Sequence, residues 1–416
     1  MNRLKEDLIE LNKFGMKFPK RIEKSEQLSQ ENSITRFTGS DADKKARDYV
    51  VKLMEELGLE VKVDKVGNIF GRLKGTVKST VMTGSHIDTV VNGGMFDGVF
   101  GVLGAIEAVR RIINDGFENE RSIEVVVFSG EEGSSFPVGL LGSSFLTGKK
   151  SVEELYALKN SSGETLEEVL EKMGYKGDFV RHLDDVEYFL EMHIEQGPVL
   201  FEEGIPIGIV ENITGISWIL ATIAGKEGHA GTTPMKMRRD ALVAASEVVS
   251  FVYQRASEMA QESTQPVATV GRLNVFPNGP NIIPREVQMT VDVRDVVKEK
   301  LESLINETLK TFEGLKERYG VEVHTEVPFI YEPVPMSKEV IDTIERSSEQ
   351  LKIPARRMNS GAGHDAQNMA EKVKTGMIFV PSVNGVSHSP LEWTEWEDLE
   401  KGVKVLTQCI KNLSVK

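Results

Sequence analysis

The segment GSHIDTVVNGGMFDGVFG, residues 84–101, carries one histidine and two aspartates in a spacing suited to divalent-metal chemistry. A neutral imidazole at His86 can bind a cation through one ring nitrogen, and Asp88, two residues on, could accept the other ring N–H and fix the tautomer. Asp97 follows in a glycine-rich loop, where one carboxylate can bridge two ions. The same residues also read as an Asp helix cap beside a buried, hydrogen-bonded histidine. A second segment, VVVFSGEEGSSF, sets Glu131 and Glu132 directly after an apolar run. Neighbouring carboxylates repel, so they are either solvated or compensated by a cation. In the second case one ligates metal and the other stays free to move a proton.

EMHIEQG (191–197) places His193 at the end of another apolar run, with Glu195 and Gln196 nearby, and NGVSHSPLEW (384–393) places His388 in a turn-rich loop. Each lone histidine also reads as structural or exposed. Together His86, His193 and His388 with the acidic residues suit a two-ion site of oxygen and nitrogen ligands. Farther along, His229 lies in GKEGHAGTTPMKMRRD, Asn281 in NGPNIIP and Arg294 in VQMTVDVRD. An arginine offers a planar fork for a carboxylate, and Asn and His offer donors for a carbonyl oxygen; surface roles are the alternative for Asn281 and Arg294. His364 sits beside Gly361 and Gly363, whose backbone can approach a ligand closely. His182 and His324 have no such setting and read as structural or exposed.

Positioning these residues requires an α/β sheet. Ser40 with Asp43 forms a helix-starting box, after which Ala46, Val50, Leu53, Met54 and Leu57 share one helical face. Apolar runs at 68–73, 80–83, 123–128 and 188–194 read as strands, and 99–113, 340–351 and 399–413 as helices. Alternating strands and helices imply an α/β domain. The middle differs: strand 216–224, helix 240–259, strands 267–275 and 287–294, helix 298–319 and strand 321–327 give β-α-β-β-α-β order. That is a ferredoxin-like unit able to fold alone. Inserted at about 212–330, it leaves a discontinuous catalytic domain of 1–211 and 331–416.

A chain of 416 residues supports two domains with real cores, and a formal charge of -14 argues against nucleic-acid or anionic-membrane partners. Cys409 is the single cysteine, so no intrachain disulfide or thiolate cluster can form, and a reducing cytoplasm is the expected location. The N-terminus reads as a short amphipathic helix rather than a signal peptide or membrane span.

Taken in order, GSHIDTVVNGGMFDG, GEEGSSF, EMHIEQGPVL, GHAGTTPM with RRD, NIIP, DVRD, SGAGHDA and GVSHSP resemble the dinuclear-metal amidohydrolases. That group includes N-carbamoyl-L-amino-acid hydrolases, allantoate amidohydrolases and β-ureidopropionases, relatives of aminoacylases and metallo-aminopeptidases. The resemblance implies a mixed-sheet, metallopeptidase-like catalytic domain with an inserted lid that mediates homodimerisation. It implies that His86, Asp97 and His193 hold one ion, and Asp97, Glu132 and His388 the other, with Zn²⁺, Mn²⁺, Co²⁺ and Ni²⁺ all used in relatives. It further implies Glu131 as catalytic base, Asp88 as the residue orienting His86, and His229 as the group polarising the carbonyl. Asn281, Arg294, Gly363 and His364 would bind the substrate carboxylate, with Gln196 lining the pocket, and one subunit can complete the other's site. The implied reaction cuts a ureido or amide C–N bond in a small carboxylated substrate, releasing ammonia and carbon dioxide. An aminopeptidase or N-acyl-amino-acid deacylase would use the same ions. A non-catalytic metal-binding dimer is disfavoured by the spare Glu131, since a structural site needs no free base.

Overall fold

The computed structural model describes residues 2–261 and 266–415. It divides into two compact units, Met1–Glu211 with Pro335–Lys416, and Asn212–Val334. In the first, the sheet runs Glu60–Val63, Ile69–Leu73, Ser122–Phe128, Thr80–His86, Val186–Ile194, Lys374–Val380 and Ile207–Ile213. Its middle is parallel from Ser122–Phe128 through Thr80–His86 and Val186–Ile194 to Lys374–Val380, and Ile69–Leu73 and Ile207–Ile213 flank it antiparallel. Thr80–His86 and Ser122–Phe128 are buried along their whole length, as near-continuous apolar strands covered on both faces must be.

The helix Val99–Asn114 packs on Thr80–His86, on Val186–Ile194 and on the helix Trp396–Ser414, which in turn packs on Lys338–Leu351. It buries Phe100, Val102, Leu103, Ile106, Val109 and Ile112, side chains worth roughly 1.5–3 kcal/mol each when removed from water. The starting box at Ser40 is realised: the Ser40 hydroxyl accepts from the Asp43 amide at 3.1 Å, and the Asp43 carboxylate accepts from the Gly39 amide at 2.9 Å. The resulting helix, Asp41–Glu56, buries Ala46, Val50, Leu53 and Met54. This frame aims the C-terminal ends of Thr80–His86 and Val186–Ile194, and the loop after Ser122–Phe128, at one edge, where open α/β sheets carry their sites.

The second unit has the strand order Glu322–Glu326, Gly215–Ala224, Glu286–Asp295, Val267–Phe276, all antiparallel. Helices Ala241–Ala260 and Lys298–Tyr319 cover one face, so β-α-β-β-α-β order holds. Along Glu286–Asp295 the residues Val287, Met289, Val291 and Val293 face those helices, and Thr290, Asp292 and Arg294 face the other way. The unit ends at Val334 rather than at 330 because Ile330–Tyr331 still pairs with Ser217 and Ile216. The protein is thus an α/β mixed-sheet domain carrying a separate inserted antiparallel sheet. Among the described residues no helix is long and apolar enough to cross a membrane.

Candidate dinuclear metal centre

Asp97 organises the site. Its Oδ1 lies 3.2 Å from His193 Nε2 and 3.7 Å from His86 Nε2, and its Oδ2 lies 3.1 Å from His388 Nε2. Glu132 stands 3.7 Å from the same His388 nitrogen, and Glu131 stands 3.7 Å from His86 Nε2. Ligand atoms of His86, Asp97 and His193 form one group within 4.8 Å, as do those of Asp97, Glu132 and His388. A third grouping, His86 with Glu131 and Glu132, meets the same criterion. Residues from 86 to 388 in the chain are thereby brought to one point.

The elements explain why. His86 and His193 end neighbouring parallel strands, and the Glu pair follows the strand on the other side of His86. His193 Nδ1 faces the Ile194 carbonyl at 2.9 Å and His86 Nδ1 the Asp88 carbonyl at 3.1 Å. Each carbonyl can accept the Nδ1 proton, which leaves Nε2 as the nitrogen facing the cluster and open to a cation once it carries no proton. Gly98 closes the approach: its φ of 65° is left-handed, and a Cβ there would lie 2.3–2.5 Å from the His86 ring. His388 and Gln196 also occupy left-handed backbone, φ 52° and 59°, a conformation that persists in non-glycine residues only when the surroundings enforce it.

Asp88 acts differently from the expected ring-to-carboxylate hydrogen bond. Its carboxylate is 3.6 Å from His86 Nδ1, farther than its own carbonyl, and its two oxygens accept instead from the Glu131 and Glu132 amides at 3.2 Å each. A two-residue spacing brings the backbone oxygen to the ring first and leaves the side chain free to fix the Glu pair. Glu195 caps the helix Val199–Glu203, accepting from the Val199 and Leu200 amides at 2.9 and 2.8 Å. Gln196 donates its side-chain amide to Asp97 Oδ2 at 2.9 Å. His364 is nearly fully buried, with Nε2 3.0 Å from Ser360 Oγ and its ring 4.6 Å from that of His193, so its side chain supports His193 from beneath.

Charge distribution bears on what fits here. Burial, joined by Glu132, Asp365 and Asp88, raises the Glu131 carboxyl well above the usual range, and burial with Asp97 pushes Glu132 up to about 7. Burial alone would raise Asp97 too, but its histidine partners hold it well below the ordinary value. His388 is raised to about 9, chiefly by its hydrogen bond to Asp97. So many carboxylates in one buried pocket repel unless cations offset them. Imidazole and carboxylate donors with a shared aspartate suit a pair of borderline-hard divalent cations. The residues present fit two such ions.

Glu392, Ser387, Glu191 and Asp365 also adjoin the site, though no spacing or motif singles them out in the sequence. Glu191 stands out only as an acid inside an apolar strand; its oxygens accept from Ser85 Oγ and the Ala366 amide at 2.8 Å each. His182 and His324 are exposed, as read.

The profile described as peptidase family M20/M25/M40 matches residues 82–412. The chain belongs to the M20 peptidase family. Within this M20 family it is 41% identical over 390 residues to an N-carbamoyl-L-amino-acid amidohydrolase of Pseudomonas sp. strain NS671, covering 92% of this chain and 94% of that protein. It is 36% identical over 390 residues to the allantoate amidohydrolase of Bacillus subtilis, covering 93% and 94% of the two chains. A ureidoglycolate hydrolase of Oryza sativa is 36% identical over 396 residues, 92% of this chain and 81% of that one. The crystal structure of a hydantoinase/carbamoylase family amidase from Burkholderia multivorans superposes with a TM-score of 0.94 at 35% identity, covering 100% and 98% of the chains. This M20 member is accordingly a hydrolase of the hydantoinase/carbamoylase group acting on C–N bonds, with that family's dinuclear metal site.

The second unit holds His229, Asn281 and Arg294. His229 Nδ1 accepts from the Gly231 and Thr232 amides at 3.0 and 3.3 Å, which leaves the ring proton on the exposed Nε2 as a donor. Asn281 lies beside it, its carbonyl accepting from the Ala230 amide at 2.9 Å. Arg294 is held by Asp292 through Nε at 2.8 Å and Nη2 at 3.1 Å, and Trp218 Nε1 donates to the same Asp292 at 2.9 Å. Arg294 lies next to the end of the ten-residue strand Glu286–Asp295, whose other end, Glu286, pairs with Ala224 five residues before His229, so the strand sets Arg294 roughly 25 Å from that end.

Proposed function

We propose that this chain hydrolyses the ureido C–N bond of an N-carbamoyl-L-amino acid, releasing the amino acid, ammonia and carbon dioxide. The observation that carries the reading is Asp97, whose two carboxylate oxygens face His193 and His388 on opposite sides with Glu131 alongside. His86, Asp97 and His193 would hold one divalent ion, and Asp97, Glu132 and His388 the second, Zn²⁺ or Mn²⁺ foremost. Bound there, such ions supply Lewis acidity at a carbonyl oxygen and bring the pKa of water toward about 7.

Glu131 takes the proton of the attacking water and later returns it to the leaving nitrogen. Its burial raises the carboxyl and so favours the first half of that cycle, uptake of the water's proton. Asp88 fixes both members of the Glu pair through their backbone amides. His229 donates Nε2–H to the substrate carbonyl oxygen as negative charge grows on it, with Asn281 beside it. Arg294 takes the substrate carboxylate on its guanidinium fork, Gln196 and Gly363 line the wall around the bound molecule, and His364, buried against the His193 ring, acts from behind that wall rather than on the substrate.

A small substrate cannot touch both ends of one ten-residue strand. The separation of Arg294 from His229 and Asn281 therefore supports a homodimer, in which the second unit of one subunit completes the site of the other. Among the described residues the edge strand Val267–Phe276 pairs on one side only; it exposes Val267, Leu273 and Phe276, while the neighbouring helix exposes Val249 and Tyr253. Unpaired edges of this kind invite a second copy. The single cysteine, Cys409, is buried, which suits the reducing cytoplasm that composition suggests.

The second substrate reading is allantoate, favoured by the Bacillus subtilis relative, with ureidoglycolate third. Ammonia release measured with Mn²⁺- or Zn²⁺-loaded protein on N-carbamoyl-L-amino acids, N-carbamoyl-β-alanine, allantoate and ureidoglycolate separates them. The highest kcat/KM is expected on an N-carbamoyl-L-amino acid. A tenfold preference for allantoate or ureidoglycolate would reassign the substrate, and cleavage confined to peptides or N-acyl amino acids would replace the reaction.

A further inference from the structure

Glu392 has no exposed surface and joins two loops that lie almost three hundred residues apart in the chain. Its Oε1 accepts from the Phe96 and Asp97 amides at 2.8 and 3.1 Å. Its Oε2 accepts from Ser387 Oγ at 2.9 Å, and Ser387, next to His388, stands 3.4 Å from Asp97 Oδ2. The fit leaves no slack: a Cβ on Gly94 would lie 2.4 Å from Glu392 Cβ and 2.5 Å from Oε1. Glycine at 94 is thus the residue that lets this carboxylate reach the loop.

We infer that Glu392 is a positioning residue that locks the Asp97 loop to the His388 loop, so that cation binding by those two residues depends on it. The inference rests on the reading of Asp97 and His388 as ligands. Asp97 needs its backbone fixed because its two oxygens serve two different histidine sets. A rotation of the loop that suits one set spoils the other. Two main-chain amides and the Ser387 hydroxyl converge on this side chain, and a fully buried group cannot exchange such partners for water. Residues that hold a ligand in place commonly change metal affinity 10–100-fold when lost.

Three variants test this on the full-length protein: Glu392→Ala, Glu392→Gln and Gly94→Ala. The readouts are the dissociation constants of the two Zn²⁺ equivalents, from competition with a chromophoric chelator, and the thermal midpoint of the ion-free protein. Glu392→Gln keeps an oxygen for both backbone amides and turns its NH₂ to Ser387, so both equivalents should stay within about threefold of the parent. Glu392→Ala should weaken the weaker equivalent about 10–100-fold. Gly94→Ala, which displaces the carboxylate without removing it, should do the same and decides the matter if Glu392→Ala does not fold. A residue that serves only the fold would lower the thermal midpoint and leave both constants unchanged. That result in Glu392→Ala, or in Gly94→Ala where the former is insoluble, overturns the inference. A parent protein that binds fewer than two equivalents overturns the ligand reading beneath it instead.

Discussion

Replacing Glu131 by glutamine separates the two roles its position allows. The side chain belongs to a possible ligand group with His86 and Glu132, yet it is absent from the two groups that share Asp97. Gln preserves the shape, and the backbone amide of residue 131 still donates to Asp88, so the loop should not move. What disappears is a proton acceptor and one negative charge 3.7 Å from His86 Nε2. If Glu131 is the base, kcat falls about 10²–10⁴-fold, equivalent to about 2.7–5.4 kcal/mol of barrier, while both ions are retained. The assay is kcat on an N-carbamoyl-L-amino acid together with elemental analysis of the same dialysed sample. Loss of one ion alongside activity would make Glu131 a ligand. Retention of both ions with kcat within a few-fold of the parent would refute the assignment of the base outright.

Arg294→Lys keeps the charge but loses the planar fork and the double contact to Asp292, so KM should rise about 10–100-fold with little change in kcat, about 1.4–2.7 kcal/mol of binding; an unchanged KM removes Arg294 from the carboxylate site. Ion binding should release protons, since the ion-free protein holds Glu132 at about 7 and His388 at about 9. Calorimetry in buffers of different ionisation enthalpy should find about one proton leaving His388 at pH 8, and affinity should climb from pH 6 to 9; a pH-independent affinity contradicts it. For the ion-free fold the His388 sign is fixed: a raised histidine stabilises fully below its unfolded value near 6.5, and that contribution is lost as pH rises through about 9. Val249→Asp with Tyr253→Asp should shift a dimer to monomer in sedimentation velocity and cut turnover with it; a monodisperse, active monomer in the parent would refute completion by a second copy.

Much of the architecture was legible because its signals are local. Apolar runs at 80–83, just before His86, and at 188–194, which contains His193, mark buried strands, and the alternation through 287–294 marks a sheet with one covered face. The box at Ser40 predicted its helix start. Segments too short to show a period escaped: Ile330–Tyr331 extends the inserted unit, yet two residues carry no pattern. The candidate ligands could be grouped because they sit at strand ends or in turn-rich loops, whereas their division between two ions came only with the family resemblance. Their supports could not be read in this way. Glu392 is one acid before a tryptophan, and only the three-dimensional return of the 387–392 loop to residues 94–97 gives it a task. Asp88 shows a subtler limit, since spacing placed it beside His86 correctly but could not tell that its backbone oxygen would reach the ring first. The length of Glu286–Asp295 separates Arg294 from the strand end nearest His229, and that separation is what points to assembly.

The proposed chemistry depends on Asp97 being shared by two bound cations. Elemental analysis by plasma mass spectrometry of parent and Asp97→Asn, each loaded with Zn²⁺ or Mn²⁺ and dialysed, tests it most directly when paired with turnover. Two ions per subunit are expected in the parent, and at most one in Asp97→Asn with hydrolysis abolished. A parent without stoichiometric metal, or an Asp97→Asn protein that hydrolyses as fast as the parent, would contradict it.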